Sequence, residues 1–321
     1  MKAIYLEKKA GAEFLVSGEI PRPSPKAGEA LIKVCATAVT PTELQWMPTF
    51  SQPSGEPRPF PIVLSHEFSG VVESVGANVA NVRAGDEVCG LNDWFANGAQ
   101  AEYCVAPASA LAPKPKSLRH PEAAVTPISA LTAWQGLMEK TTVERNHRVL
   151  IHGGAGGVGT FAVQLARWRG ARVIATASAG NLDFVRALGA DQVIDYQATR
   201  FEEVICDVDV VFDVVGGDTL ERSWKVLKPD GKLVTIVGSA RASSNPRTRD
   251  AFMLVRADGG QLAQIGKMID AGELRVFLEA VYSLDAAREA YARAQQGKMR
   301  GKIALSVVEG LNLDDRRKNF E

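Results

Sequence analysis

The sequence predicts an α/β protein in which a parallel, doubly wound sheet is joined to a separate all-β unit. Three observations predict it. A buried strand runs into a glycine turn and a helix over 148–167. Strand and helix signals alternate from 171 onward, and the first third of the chain holds only short β-prone runs between turn residues.

Taken in order, the β-prone runs lie at 3–7, 30–36, 69–75, 87–90 and 101–106, separated by Gly28, Gly76, Gly85 and Gly98. Residues 48–61 are rich in proline and poor in aliphatic side chains, so no regular element runs through them and they suit a pocket wall or lid. After Pro121, Ala130, Ala133, Trp134, Leu137 and Met138 mark a helix that carries the chain into the glycine-rich unit. There Val149, Leu150 and Ile151 form an apolar run suited to a parallel strand covered on both faces. From Val158 the period changes, and Phe161, Ala162, Leu165 and Ala166 fall on one side of a helix. Strands follow at 172–176, 192–194, 208–214 and 232–237, the first two separated by a helix through Leu182, Val185 and Leu188 that Gly189 stops. Helices at 261–271 and 286–294, a closing strand at 302–308 and a charged, solvated tail at 311–321 complete the chain.

Between the two periods, Gly154, Ala155, Gly156, Gly157, Val158 and Gly159 spell G-x-G-x-x-G. Gly154 permits the sharp turn, Gly156 lets the backbone approach a pyrophosphate, and Gly159 lets the helix lie close to its strand. The helix offers free N–H groups and the positive end of its dipole to the bound anion. With strand and helix flanking it, the turn reads as a dinucleotide site. Ligands of such sheets lie at the carboxyl ends of the strands, which brings in Val215 and Gly216 after the fourth strand and Val237 and Gly238 after the fifth.

Composition narrows the function further. The 321 residues favour two domains, and their 46% hydrophobic content is that of an ordinary globular chain. Lysine plus arginine and aspartate plus glutamate are both 37, so no general attraction to nucleic acid or an anionic membrane is expected. The local enrichment at Arg241, Arg247, Arg249 and Arg256 reads as a solvated loop or a phosphate contact. Cys35, Cys89, Cys104 and Cys206 form no C-x-x-C and fall in predicted strands, where they read as buried free thiols. With no signal-peptide core at the N-terminus and no membrane-length apolar run, a cytoplasmic protein is expected.

Several motifs in order along the chain resemble the medium-chain dehydrogenase/reductase superfamily, and within it the zinc-free quinone oxidoreductases related to zeta-crystallin. They are the glycine turn at 153–159, Ser-His-Glu-Phe-Ser-Gly at 65–70, Gly-Asp-Glu-Val at 85–88, Gly-Ala-Gln-Ala-Glu-Tyr at 98–103, Leu-Thr-Ala-Trp at 131–134 and Gly-Lys-Ile-Ala-Leu at 301–305. The resemblance implies a Rossmann-type NADP-binding domain over 122–262. It also implies a GroES-like β-barrel substrate domain over 1–121, completed by 263–321, and a homodimer. Thr132 matches a position near the nicotinamide, and Lys302 one that reaches the pyrophosphate; a surface lysine flanking a strand is the alternative.

In NAD-binding units an acidic side chain about twenty residues past the turn holds the ribose hydroxyls. Ala177 stands there, so no carboxylate is available to hold a free 2′-hydroxyl or repel a 2′-phosphate. Ser178 can donate to phosphate, although it also suits capping of the helix after Asn181. Tyr196 matches a tyrosine beside the ribose phosphate of relatives. NADP is the expected cofactor. Relatives often carry a lysine where Asn181 stands, and Arg200 is a second source of charge.

Zinc relatives bind their catalytic ion at positions matched here by Thr40, His66 and Ile128. A threonine hydroxyl is a poor zinc ligand and isoleucine is none, so no metal is expected. Without a Lewis acid, alcohol oxidation is disfavoured, whereas quinones and enones accept hydride directly into a delocalised system. Two readings of His66 stand: a proton donor, and a residue hydrogen-bonded in the wall. Thr40 is placed to bind a substrate oxygen, and Gln45, Trp46, Trp94 and Phe95 to line the pocket, with ordinary packing as the alternative for the aromatics. The expected activity is NADPH-dependent hydride transfer, without zinc, to a quinone or similar activated carbonyl acceptor. The alternatives are an enone or enal (2-alkenal) reductase and a non-catalytic NADPH-binding structural or RNA-binding protein.

Overall fold

The computed structural model describes residues 1–308; the tail at 311–321 lies outside them. The N-terminal strands are β1 (Lys2–Leu6), β2 (Val16–Glu19), β3 (Glu29–Val39), β4 (Ile62–Val63), β5 (Glu67–Val75), β6 (Glu87–Leu91), β7 (Tyr103–Pro107) and β8 (Leu111–Pro113). β1, β2 and β4 form a small antiparallel sheet. β3 is the spine of a larger one, with β5 and β7 both paired to it and β6 and β8 continuing past β5. Most of β3 is buried, Lys33 being its one exposed residue, because the sheet curls around it as a barrel covers a central strand.

A five-stranded parallel sheet follows, made of β9 (Arg148–Ile151), β10 (Arg172–Ala177), β11 (Gln192–Asp195), β12 (Val208–Asp213) and β13 (Leu227–Thr235). Their order is β11-β10-β9-β12-β13. The chain switches direction at β9, which opens a crevice at the carboxyl ends of the strands. Both faces are covered. Val149 and Ile151 pack with Phe161, Ala162 and Leu165 of helix Gly157–Trp168, while Leu150 packs on the other face with Phe201 and Leu220. That is why the strand reads as a continuous apolar run.

The chain then returns to the first sheet. β15 (Lys302–Ser306) pairs antiparallel with β3, with Ala304 opposite Ala38, and β14 (Leu278–Ser283) runs parallel beside β15. β2, β4, β8 and β14 have no counterpart in the sequence reading. β4 and β8 are very short, β2 alternates between half-buried and exposed but carries a single aliphatic residue, Val16, and β14 is half-buried without alternation up to Tyr282.

Residues 48–61 are largely irregular, as expected, and Arg58 ties them to residues 96–97. A helical turn, Met47–Phe50, precedes irregular chain, and the buried Arg58 guanidinium donates to Pro48 O (3.0 Å), Thr49 O (3.3 Å), Ala96 O (2.8 Å) and Asn97 Oδ1 (3.3 Å). Cys89 and Cys104 are buried thiols pushed up to about 12 by desolvation; Cys206, expected in a strand, is exposed in the loop after helix Phe201–Val204. Among the described residues no helix is long and apolar enough to cross a membrane.

Candidate active site

The glycine turn after β9 is built as a phosphate cradle, with one reassignment. The left-handed residue is Gly153, at φ +72°, and not Gly154. Gly154 is required for space: a Cβ there would lie 3.1 Å from Ala175 Cβ and from Val185 Cγ1. At Gly159 a Cβ would lie 2.1 Å from Gly153 O, so the helix presses directly on the turn. Gly156 is the open position, its nearest neighbour for a Cβ being Gly153 O at 3.7 Å. Helix Gly157–Trp168 starts after Gly156 with no side-chain cap, which leaves first-turn N–H groups for an anion beside the half-exposed Gly156, Gly157 and Val158. Ala155 O accepts from Gly301 N (2.8 Å), tying the turn to the start of β15.

Beside the turn a cavity of about 570 Å³ opens at the carboxyl ends of β9, β10 and β12, lined in part by Gly153, Thr176, Tyr196, Arg200 and Val215. Tyr196 and Val215 are 55% and 53% exposed, surface that a flat base can cover. Asp213, which the sequence did not single out, shapes this rim. Its buried carboxyl accepts from Val215 N and Gly216 N (both 3.1 Å) and Thr235 Oγ1 (2.7 Å). The buried Ser178 makes no capping bond, and its hydroxyl meets only Asn181 Nδ2, at 3.5 Å. Val237 N donates to Thr235 Oγ1 (3.2 Å), Gly238 faces open space, and Thr132 is buried in helix Pro127–Trp134.

His152 floors the cavity in a single tautomer. Ser223 Oγ donates to Thr219 O (2.7 Å), so it accepts from His152 Nε2 (2.9 Å), which leaves Nδ1 to accept from Thr176 Oγ1 (3.2 Å). Burial lowers the imidazole from 6.5 to about 4. The neutral ring therefore contributes stability in full above pH 6.5, and the contribution is lost as pH falls toward 4, because the unfolded chain takes up the proton first. Its size is on the order of 3 kcal/mol. His152→Asn flattens the acid limb of a urea-midpoint-against-pH curve over that window; an unchanged limb contradicts the assignment.

On the substrate side, His66 is 2% exposed and its Nδ1 lies 2.7 Å from Glu43 Oε1. The Glu43 carboxyl, fully buried, also accepts from Ser65 N at 2.9 and 3.0 Å, which fixes the His66 proton on Nδ1. Nε2 is buried without a partner among the described residues. The ring lies 5.5 Å from that of Trp94, which meets Trp46 edge-on, also at 5.5 Å. His66, Trp46 and Trp94 thus come together as expected. Thr40 is half-buried at the end of β3. Gln45 is exposed, and neither it nor the half-buried Phe95 makes a side-chain hydrogen bond or ring contact with that cluster.

Next to His66, the buried Glu67 carboxyl is held by Lys302 Nζ and by Ile128 N (2.9 Å). Burial pushes this carboxyl up while Lys302 pulls it down. Lys302 therefore spends its ammonium on Glu67, and its stem alone lies near the turn, 3.6 Å from where a Gly157 Cβ would sit. The donors at the relatives' zinc position reduce to one imidazole nitrogen. Glu67 is engaged by Lys302 and a backbone N–H, and Thr40 and Ile128 supply no strong ligand, a set that does not fit tetrahedral zinc. Glu43 escaped the sequence reading; its one signal was a carboxylate three residues past Thr40.

Comparison with known proteins gives a consistent assignment. Residues 26–116 match the alcohol dehydrogenase GroES-like domain family, and residues 188–305 match the zinc-binding dehydrogenase family. An NAD(P)H oxidoreductase, RTN4IP1, mitochondrial, from Danio rerio is 33% identical over 81% of this chain and 75% of its own. A 2-methylene-furan-3-one reductase from Solanum lycopersicum is 32% identical over 89% of this chain and 74% of its own. The solved quinone oxidoreductase from Coxiella burnetii superposes with a TM-score of 0.88 at 31% identity, covering 96% of this chain and 99% of its own.

Proposed function

The chain belongs to the medium-chain dehydrogenase/reductase superfamily, in its quinone-oxidoreductase-like branch, and on that premise we propose that it transfers hydride from NADPH to a quinone or similar activated carbonyl without zinc. It is an oxidoreductase of the NAD(P)H type. The observation that carries the finer reading is the set Thr40, His66 and Ile128 at the relatives' zinc position, beside the open Gly156 turn.

When bound, NADPH supplies the hydride. The chain's own residues supply the rest. The Gly156 face and the first-turn N–H groups hold a pyrophosphate, and Trp46 and Trp94 wall a flat ring and exclude water. The Thr40 hydroxyl donates to an acceptor oxygen. His66 can hold a proton on Nε2, since its Nδ1–H already faces Glu43, whose carboxylate stabilises the resulting imidazolium. A quinone delocalises the incoming negative charge, so positioning replaces Lewis-acid activation.

NADPH over NADH is supported by Ala177, which offers no carboxylate to a ribose hydroxyl, and by Ser178 and Tyr196 at the same corner. Arg200 lines the cavity but is paired with Glu202 at 2.8 Å. A cytoplasmic homodimer completes the reading, supported by the four free cysteines and by Leu254, 63% exposed near the outer edge of β13.

One observation favours a second reading, reduction of an enone: Nε2 of His66, buried beside Trp94, has no hydrogen-bond partner among the described residues to compete for a proton. His66→Gln separates the two. For a quinone, turnover stays within about twofold; for an enone that takes its proton from His66 it falls by roughly 10²-fold or more. The assay is NADPH absorbance against a panel of quinones, enones and alcohols. Oxidation of alcohols alone would overturn both readings.

A further inference from the structure

Arg300 reaches the cofactor crevice from the opposite end of the chain, two residues before β15. Its Nε donates to Asn181 Oδ1 and its Nη2 to Gly180 O, both at 2.9 Å, and the guanidinium carbon lies 5.2 Å from the centroid of Phe184. These acceptors belong to the turn that follows β10 and begins at Ser178.

The charges around this corner are unequally committed. Arg200 is bound to Glu202, Arg222 to Glu202 and Asp218, and Arg186 to Asp183. Among the described residues the Arg300 side chain has only neutral hydrogen-bond partners. Glu279 accepts from its backbone N (3.0 Å), but the other oxygen of that carboxylate is taken by Arg293. Arg300 therefore brings an uncompensated positive charge to the corner where Ala177 has removed the negative one.

Its reach is set by its neighbours. Gly301 bridges to Gly156 and donates to Ala155 O, and at φ +78° a Cβ on it would lie 1.9 Å from Phe277 O. Lys302 continues toward Glu67. Residues 300–302 thus follow the dinucleotide turn from its ribose side to its substrate side, held in place before any ligand arrives.

We propose that Arg300 selects NADPH over NADH by binding the adenosine 2′-phosphate at the Ser178–Asn181 turn. The inference rests on the NADPH reading and names the residue responsible for it. A guanidinium suits a phosphate because its planar donors form paired, charge-assisted hydrogen bonds, and a ribose hydroxyl gives it no charge to meet. The phosphate replaces two neutral acceptors, Gly180 O on an exposed residue and Asn181 Oδ1 on a buried one whose amide stays beside Ser178 Oγ.

Calorimetric titration of the full chain with 2′,5′-ADP and 5′-AMP tests this without any turnover. The wild type is expected to bind 2′,5′-ADP about 10- to 100-fold more tightly than 5′-AMP. Arg300→Gln removes most of that preference and leaves 5′-AMP binding within about twofold, which also reports that the turn is intact. Arg300→Lys keeps part of the preference, and Arg200→Gln keeps most of it. A wild-type preference retained by Arg300→Gln overturns the assignment of Arg300 while the NADPH reading stands. Equal loss of both ligands in Arg300→Gln gives it a structural role and also overturns the proposal. A wild type that does not distinguish the two ligands overturns the NADPH reading and the proposal together.

Discussion

Lys302→Met lowers folding stability by roughly 3–5 kcal/mol, the usual consequence of leaving one member of a buried ion pair behind. Glu67 is fully buried and Lys302 is its only cationic partner among the described residues, the second contact being Ile128 N. The loss also depends on pH. Burial already raises the Glu67 carboxyl above its ordinary 4.5, and removing Lys302 removes the main opposing influence. A carboxyl raised in the folded state contributes stability below its unfolded value, and that contribution disappears as pH rises through the folded one. The variant's deficit in urea midpoint is therefore larger at pH 8 than at pH 5, and adding Glu67→Gln recovers part of it. Equal midpoints for wild type and variant at pH 8 would refute the pairing.

The second large effect divides the glycine turn into two functions. Gly159→Ala forces a Cβ to within 2.1 Å of Gly153 O and 2.9 Å of Gly153 C, backbone atoms that cannot swing aside. It destabilises the free protein by about 3 kcal/mol, the upper range for overpacking, and loses NADPH binding with it. Gly156→Ala meets nothing closer than 3.7 Å, so the free protein keeps its stability to within about 0.5 kcal/mol. The new methyl then stands where the pyrophosphate approaches, and NADPH affinity falls on the order of 100-fold. Urea melts and fluorescence titration of both variants check the contrast. A Gly156→Ala protein that binds NADPH as the wild type does would place the ligand elsewhere.

The strand–turn–helix unit was legible because its signals are local. Val149 to Ile151 and Phe161 to Ala166 carry two different periods, and the glycines fall between them. The motif gave spacing but not dihedral angles, which is why the left-handed residue is Gly153 and not Gly154. β14 was hidden because every residue from Leu278 to Tyr282 is half-buried, so no alternation marks it. The barrel's central strand was found but cut short, since 30–36 stops before the buried Thr37, Ala38 and Val39.

In the site, His66, Trp46 and Trp94 were legible from their motifs, and their partners were not. Glu43 meets His66 only because the turn at 41–45 folds under the left-handed Ser65. Glu67 finds Lys302 across 235 positions and Asn181 finds Arg300 across 119, distances at which no local pattern exists. Lys302 was placed at the pyrophosphate by resemblance alone; the buried carboxylate beside it claims the ammonium instead.

The most direct measurement is NADPH-driven reduction of 1,4-benzoquinone by protein dialysed against a chelator, assayed with and without added zinc and beside ethanol as an alcohol substrate. Equal quinone turnover in both samples, with ethanol inert, is the expected result. Turnover abolished by the chelator and restored by zinc, or confined to the alcohol, would contradict a hydride transfer to the quinone that needs no metal.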